Sequence, residues 1–193
     1  MNIQNVGLWV DAIDESHVDL TEYYYFENAF TDEEIKLIQE EAMKVPPRVG
    51  KTGKNSSDNE TFRKSEIRWL NGNAPYTDGD KVYTGDDFVW LYQRLWNMIE
   101  EANRNLWNFN LSHGRDAIQH TIYNEGGGHY DWHMDCGSKE MRHRKVSLTV
   151  QLTDGDDYEG GELQLWRGQS PLNAPRGKGT VVIFPSYMMH RVT

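Results

Sequence analysis

Cysteine is almost absent from this sequence: Cys136 is the only one in 193 residues. A lone thiol closes no intrachain disulfide, so the fold must rest on its packed core, and a reducing compartment suits it best. The first twenty residues, MNIQNVGLWVDAIDESHVDL, have no basic segment followed by a long apolar run. The reading is therefore no secretion signal, no transmembrane span and a soluble cytoplasmic protein. Cations are also scarce. Lys and Arg number 20 against 30 Asp and Glu, for a formal net charge of −10. That balance disfavours a broad nucleic-acid or anionic-membrane surface, because phosphate binding depends on Lys and Arg, though it leaves room for a local basic groove. There is no internal repeat and no low-complexity tract. Strong loop composition gathers in one stretch, VPPRVGKTGKNSSDNE (45–60), which reads as a long surface loop rather than a domain linker.

Aromatics are plentiful, with seven Trp, ten Tyr and six Phe. They supply the large apolar faces that a globular core needs despite a mean hydropathy of −0.78. The length fits one domain over 1–193. In TDEEIKLIQEEAM, Thr31 can cap a helix while Glu34 reaches back, with Ile35, Ile38 and Ala42 on one face. A second helix runs through DDFVWLYQRLWNMIEEANRNLW, where Phe88, Tyr92, Leu95, Ile99, Ala102 and Leu106 form a stripe and Thr84 and Asp87 a start signal. After about residue 115 the pattern turns to short strands at 117–123, 129–135, 145–152, 161–166 and 179–184. Helices followed by closely spaced strands predict an α+β chain whose second half closes on itself as a sandwich or barrel.

The chemistry concentrates in GGGHYDWHMDCG (126–137), which holds two His-x-Asp pairs, His129 with Asp131 and His133 with Asp135. A His and a carboxylate one residue apart on a strand point the same way and can grip one metal ion. Two His and one carboxylate cover one face of an octahedron and leave three positions open, the arrangement of non-haem Fe(II) oxygenases. A distant second His is then required. His190 is the leading candidate, because it follows a buried strand and a Pro-containing turn in GTVVIFPSYMMHRV. His17 and His113 fall in polar loops, His143 in the charged turn MRHRK, and His120 on a strand as a packing residue. Strand parity does not choose between the two local pairs, since positions 129 and 133 of a regular strand face the same side.

YNEGGGHYDWHMD, followed in order by RKVSLTVQL, DDYEGGELQLW and GTVVIFPSYMMHRV, resembles the 2-oxoglutarate/Fe(II)-dependent dioxygenases, in particular the prolyl 4-hydroxylase-like group. FRKSEIRWL and the helix before AIQHTIY resemble that group's N-terminal half, so the likeness covers about residues 20–193 and is strongest over 120–192. It implies a double-stranded β-helix (jelly-roll, cupin-like) core over about 116–193, with helical support over about 20–115. In that pattern an aromatic precedes the ligand His by three positions, which matches Tyr130 with His133. The resemblance thus implies iron held by His133, Asp135 and His190, with 2-oxoglutarate and O2 as co-substrates and ascorbate as an aid. His129 and Asp131 become a pair at the mouth or in solvent.

The group's activity is hydroxylation of a C–H bond with release of succinate and CO2, here expected on a prolyl residue of a peptide or protein. A small-molecule or nucleic-acid substrate, or a non-catalytic cupin-like metal-binding scaffold, are the alternatives. Tyr123 is the expected hydrogen-bonding contact to 2-oxoglutarate. The group's basic anchor for the distal carboxylate follows the second His by about ten residues on the next strand, whereas the sequence ends at Thr193. Two expectations compete: that this last strand lies past Thr193, or that another residue does the job. Lys145 is the best internal substitute, though it also reads as a solvated lysine at a strand start, and Arg191 should face away. Trp132, Tyr158, Trp166 and the 45–60 stretch are candidates to frame a substrate. Gly160 and Gly161 read as a tight turn, and DGDDYEGGE lacks the ligand order of a calcium-binding loop.

Overall fold

The computed structural model describes residues 22–50, 60–70, 76–78, 81–83, 88–112 and 117–193. The start signals Thr84 and Asp87, His17, His113, the first twenty residues and most of the 45–60 stretch lie outside them.

Helix α1 (Asp32–Met43) starts where its capping box predicts. The Glu34 amide donates to Thr31 Oγ1 at 3.3 Å and the Thr31 amide to Glu34 Oε2 at 3.0 Å, which satisfies two of the free donors at the helix start. Ile35, Ile38 and Ala42 are buried. In helix α2 (Val89–Leu106) Leu91, Leu95, Ala102 and Asn103 are buried, with Phe88 buried just before it and Tyr92, Ile99 and Leu106 packed at the margin. Asn103 closes its C-terminal end: its Nδ2 donates to the Phe109 carbonyl at 2.9 Å and its Oδ1 accepts from the Phe109 amide at 2.8 Å.

The strands are β1 (Tyr24–Phe26), β2 (Arg48–Val49), β3 (Arg63–Lys64), β4 (Glu66–Leu70), β5 (Tyr76–Asp78), β6 (Lys81–Tyr83), β7 (Ile118–Ile122), β8 (His129–His133), β9 (Val146–Val150), β10 (Leu163–Trp166), β11 (Pro171–Asn173), β12 (Val181–Pro185) and β13 (His190–Val192). Among the described residues they form sheets in the orders β1-β12-β9, β11-β10-β13-β8-β3 and β2-β4-β7, with β5-β6 as a separate hairpin. All five stretches expected to be strands contain one. The first half, expected to be helical support, also supplies six short strands. Three of these complete sheets of the second half: β1 pairs with β12, β3 with β8 and β4 with β7.

Strand β12 explains how the layers meet. All five of its residues are buried, and its side chains alternate between two cores, as the two-residue period of a strand requires. Val181 and Ile183 join the helix-facing core with Phe30, Ile35, Leu91 and Leu95. Val182 and Phe184 join a second core with Leu165 and Met188. Opposite them on β9, Ser147 pairs with Phe184 and Thr149 with Val182, so a polar row shares the second face. The Tyr92 hydroxyl ties helix to sheet, donating to the Leu70 carbonyl at 2.6 Å and accepting from the Ile118 amide at 2.8 Å.

Candidate metal centre

The Gly-rich turn ahead of β8 has steric reasons for its composition. Gly126 and Gly127 adopt φ of 83° and 93°, and a Cβ on Gly128 would stand 2.7 Å from the Asn124 backbone. Beyond the turn, β8 is not a regular strand. Against β13, His133 pairs with His190 but Tyr130 with Val192, a register shift that sets three residue steps of β8 against two of β13. Such a bulge breaks the two-residue alternation. Tyr130 and His133 therefore share a side, their ring centroids 3.5 Å apart and nearly parallel at 17°.

His129 lies elsewhere. Its Nδ1 sits 2.8 Å from the Gly127 carbonyl and its Nε2 3.1 Å from the Thr61 carbonyl. These two backbone acceptors engage both ring nitrogens and raise the pKa of His129, so neither nitrogen is turned to a metal. The expectation that residues 129 and 133 face one side is corrected by the bulge.

The structure brings His133, Asp135 and His190 together, with one potential ligand atom from each within 4.8 Å of the others. His133 Nε2 is 3.8 Å from Asp135 Oδ1, and His190 Nε2 is 3.6 Å from Asp135 Oδ2. Both rings are anchored through the other nitrogen. His133 Nδ1 lies 2.7 Å from the Asp131 carbonyl and His190 Nδ1 2.9 Å from the Met188 carbonyl. A carbonyl only accepts, so each Nδ1 carries its hydrogen and each Nε2 presents a lone pair toward the carboxylate. This is the outer-shell bonding that metal-bound histidines use. Burial, then the neighbouring His190, lowers the pKa of His133 to about 4, which keeps its ring neutral and able to coordinate at neutral pH. The donor set fits a divalent metal with open positions.

Each ligand has a distinct support. His190 is held on β13 between β8 and β10, opposite His133 and Leu165, with Phe184 against its ring at 4.7 Å. Asp135 follows the end of β8, where its amide and that of Cys136 both donate to the Ser186 carbonyl at 2.9 and 3.1 Å. Arg144 Nη1 donates to the Asp135 carbonyl at 3.2 Å. Ser186, fully buried, bonds Ser147 through their hydroxyls at 2.9 Å.

Tyr123 follows β7 next to this cluster. Burial raises its hydroxyl to about 12, against the lowering effect of Arg63, and the Tyr130 and Asp135 charges act on it as well. Its phenol stays protonated and able to donate. Lys145 is exposed, and its link to the site is its backbone carbonyl, which accepts from the Ser186 amide at 2.9 Å. Arg191 does face away: its Nε donates to Gln164 Oε1 at 2.8 Å and its guanidinium covers Trp132 at 4.8 Å. Trp132 in turn meets Trp166 edge-on at 5.6 Å. His120 is buried on β7 opposite Arg68, and His143 lies in the 139–143 turn beside Arg142. Gly160 and Gly161 both have positive φ, as a tight turn before β10 needs.

Sequence reading missed Ser186, which nothing local marks because it acts through Ser147 and the Asp135 and Cys136 amides of distant segments.

Residues 118–193 match the profile of a family described as the 2OG-Fe(II) oxygenase superfamily. A PKHD-type hydroxylase of Synechococcus sp. (strain CC9902) is 39% identical over 70 residues, 35% of this chain and 31% of the relative. Another, of Synechococcus sp. (strain CC9311), is 27% identical over 140 residues, 66% of this chain and 61% of the relative. The matches thus span less than two thirds of these curated relatives. Among solved structures, a Trichoplax adhaerens prolyl hydroxylase in complex with a hypoxia inducible factor oxygen degradation domain peptide fragment superposes with a TM-score of 0.68. It is 19% identical, over 89% of this chain and 76% of that one. A Pseudomonas putida prolyl-4-hydroxylase gives 0.59 at 18% identity, over 89% and 84%. At these identities the likeness establishes the fold, the double-stranded β-helix with its supporting helices.

Proposed function

We propose that this chain, whose residues 118–193 match the 2OG-Fe(II) oxygenase superfamily, is a member of that superfamily and a 2-oxoglutarate- and O2-dependent hydroxylase acting on a prolyl residue of a peptide or protein. Fe(II) is held by His133, Asp135 and His190. The observation that carries this reading is the pair of Nε2 atoms facing one carboxylate, each ring locked at Nδ1 by a backbone carbonyl.

Bound there, iron and 2-oxoglutarate supply the oxidising power: one oxygen atom of O2 enters the C–H bond and the other enters succinate as CO2 leaves. The chain's residues do the positioning. The two neutral imidazoles and the carboxylate would hold the metal, three donors that leave it able to bind a co-substrate as well. The Tyr123 phenol, protonated at every physiological pH, donates to the anionic end of 2-oxoglutarate. Lys145 is the residue offered for the distal carboxylate, and Lys145→Ala with unchanged 2-oxoglutarate binding removes it from that role. A peptide substrate is supported by the peptide bound to the Trichoplax relative and by the hydroxylase relatives.

The test is succinate release from 2-oxoglutarate with Fe(II), ascorbate and O2 across a panel of proline-containing peptides. Peptide-stimulated succinate with a matching gain of one oxygen on proline supports the reading. Iron-loaded protein that consumes no 2-oxoglutarate with any peptide refutes it.

A further inference from the structure

Arg63 is 8% exposed, and among the described residues its hydrogen bonds go to neutral acceptors. Its Nε donates to Ser65 Oγ at 2.9 Å and its Nη2 to Gln119 Oε1 at 2.6 Å. Buried guanidinium groups normally lie against carboxylates or phosphates, since desolvating the charge is expensive. This one lies against a ring instead. Its Cζ is 4.4 Å from the centroid of Tyr130, its cross-strand partner in the β3-β8 pair, and Tyr130 in turn stacks with His133.

Arginine, tyrosine and metal-ligand imidazole thus form one stack. The bond from His133 Nδ1 to the Asp131 carbonyl fixes one atom of the ring and leaves it free to rock about that bond. Tyr130, stacked on the ring, and His190, tilted at 4.1 Å from it, both limit that rocking. Tyr130 can do this only if it is itself clamped. Phe62 meets it edge-on at 5.8 Å, and Arg63 covers it while reaching across to β7 through Gln119, whose Oε1 also accepts from Thr121 at 3.1 Å. The same short segment secures the bulge, since the Asp131 amide donates to the Phe62 carbonyl at 2.8 Å.

We propose that Arg63 is a positioning residue for the metal site, holding His133 in its coordinating orientation through Tyr130. This rests on the metal reading given above.

The experiment is a Co(II) titration of the 193-residue chain followed by visible absorption. The folding of each metal-free variant is checked by circular dichroism. Outer-shell partners of metal ligands typically contribute about 10–100-fold in affinity, so Arg63→Met is expected to weaken Co(II) binding by about that factor and to change the Co(II) spectrum. Arg63→Lys restores part of the affinity, because an ammonium can sit over Tyr130 but cannot fork to Ser65 and Gln119. Gln119→Leu, which leaves the β3-β8 pairing intact, moves affinity in the same direction as Arg63→Met and decides the matter if Arg63→Met does not fold. Wild-type affinity and spectrum in folded Arg63→Met, or in Gln119→Leu if that is the variant in hand, overturn the proposal. So does an equal loss in Arg68→Met, a buried arginine outside the stack. A wild-type chain that takes up no Co(II) overturns both this proposal and the metal reading, whereas normal wild-type uptake with unaffected variants overturns this proposal alone.

Discussion

Tyr130 and His133 stand three positions apart on one strand, yet their rings stack at 3.5 Å. The bulge between them makes this possible, and it also removes His129 from the metal side. Replacing His133 with Ala should weaken Co(II) binding by more than about a hundredfold, beyond the range of outer-shell changes. His129→Ala should leave binding within a few-fold of wild type, with isothermal titration as the measurement. A larger loss in His129→Ala would put the wrong pair at the metal.

The Ser147–Ser186 hydroxyl pair joins β9 to the turn whose carbonyl holds Asp135 and Cys136. Ser186→Ala strands the Ser147 hydroxyl in a part-buried place and should cost about 1–3 kcal/mol in urea denaturation. The double change Ser147→Ala with Ser186→Ala should cost less than the sum of the two single changes. Strict additivity would show that the pair is not coupled.

Acid should weaken the metal-free protein before its carboxylates titrate. His120 has its pKa lowered, first by burial and then by Arg68, and His133 is lowered to about 4. Both sit below the ordinary histidine value of 6.5, so the unfolded chain binds more protons in that interval. Their stabilising contribution is complete above pH 6.5 and is lost as pH falls toward the folded values. Denaturation midpoints measured from pH 8 down to about 4.5 should fall below 6.5, and His120→Phe should flatten part of the slope. Midpoints that stay level through pH 5 would contradict this.

Thr31 and Glu34 cap α1 reciprocally, and Thr31→Ala should destabilise the fold by about 1 kcal/mol, read as a lower thermal midpoint. Since α1 packs into the helix-facing core away from the metal side, Co(II) affinity should not change.

What was legible in the sequence followed from local rules. The Thr31 cap, the Ile35–Ile38–Ala42 face and the later strands each rest on residues within a few positions of one another. The strands β1, β2 and β3 did not show, because they are two or three residues long with no apolar alternation and exist only through partners far along the chain. Residue type and spacing mark two candidate pairs and His190, the family resemblance selects His133 and Asp135, and the structure brings these two together with His190. What sets His133 apart from His129 physically was not legible: strand parity assumes a regular strand, and the bulge depends on the pairing of β8 with β13 and with the segment around Phe62. Arg63 was hidden for the same reason, its role arising from contacts with Tyr130 and Gln119 rather than from its neighbours.

The central claim is that His133, Asp135 and His190 hold a metal that binds a 2-oxo acid. Its most direct test is anaerobic addition of Fe(II) and 2-oxoglutarate, watching for the visible charge-transfer band of a 2-oxo acid chelated to Fe(II). The account predicts the band in the wild-type chain and in His129→Ala, and its loss in Asp135→Ala. A wild-type chain without the band, or an Asp135→Ala chain that keeps it, would contradict the account.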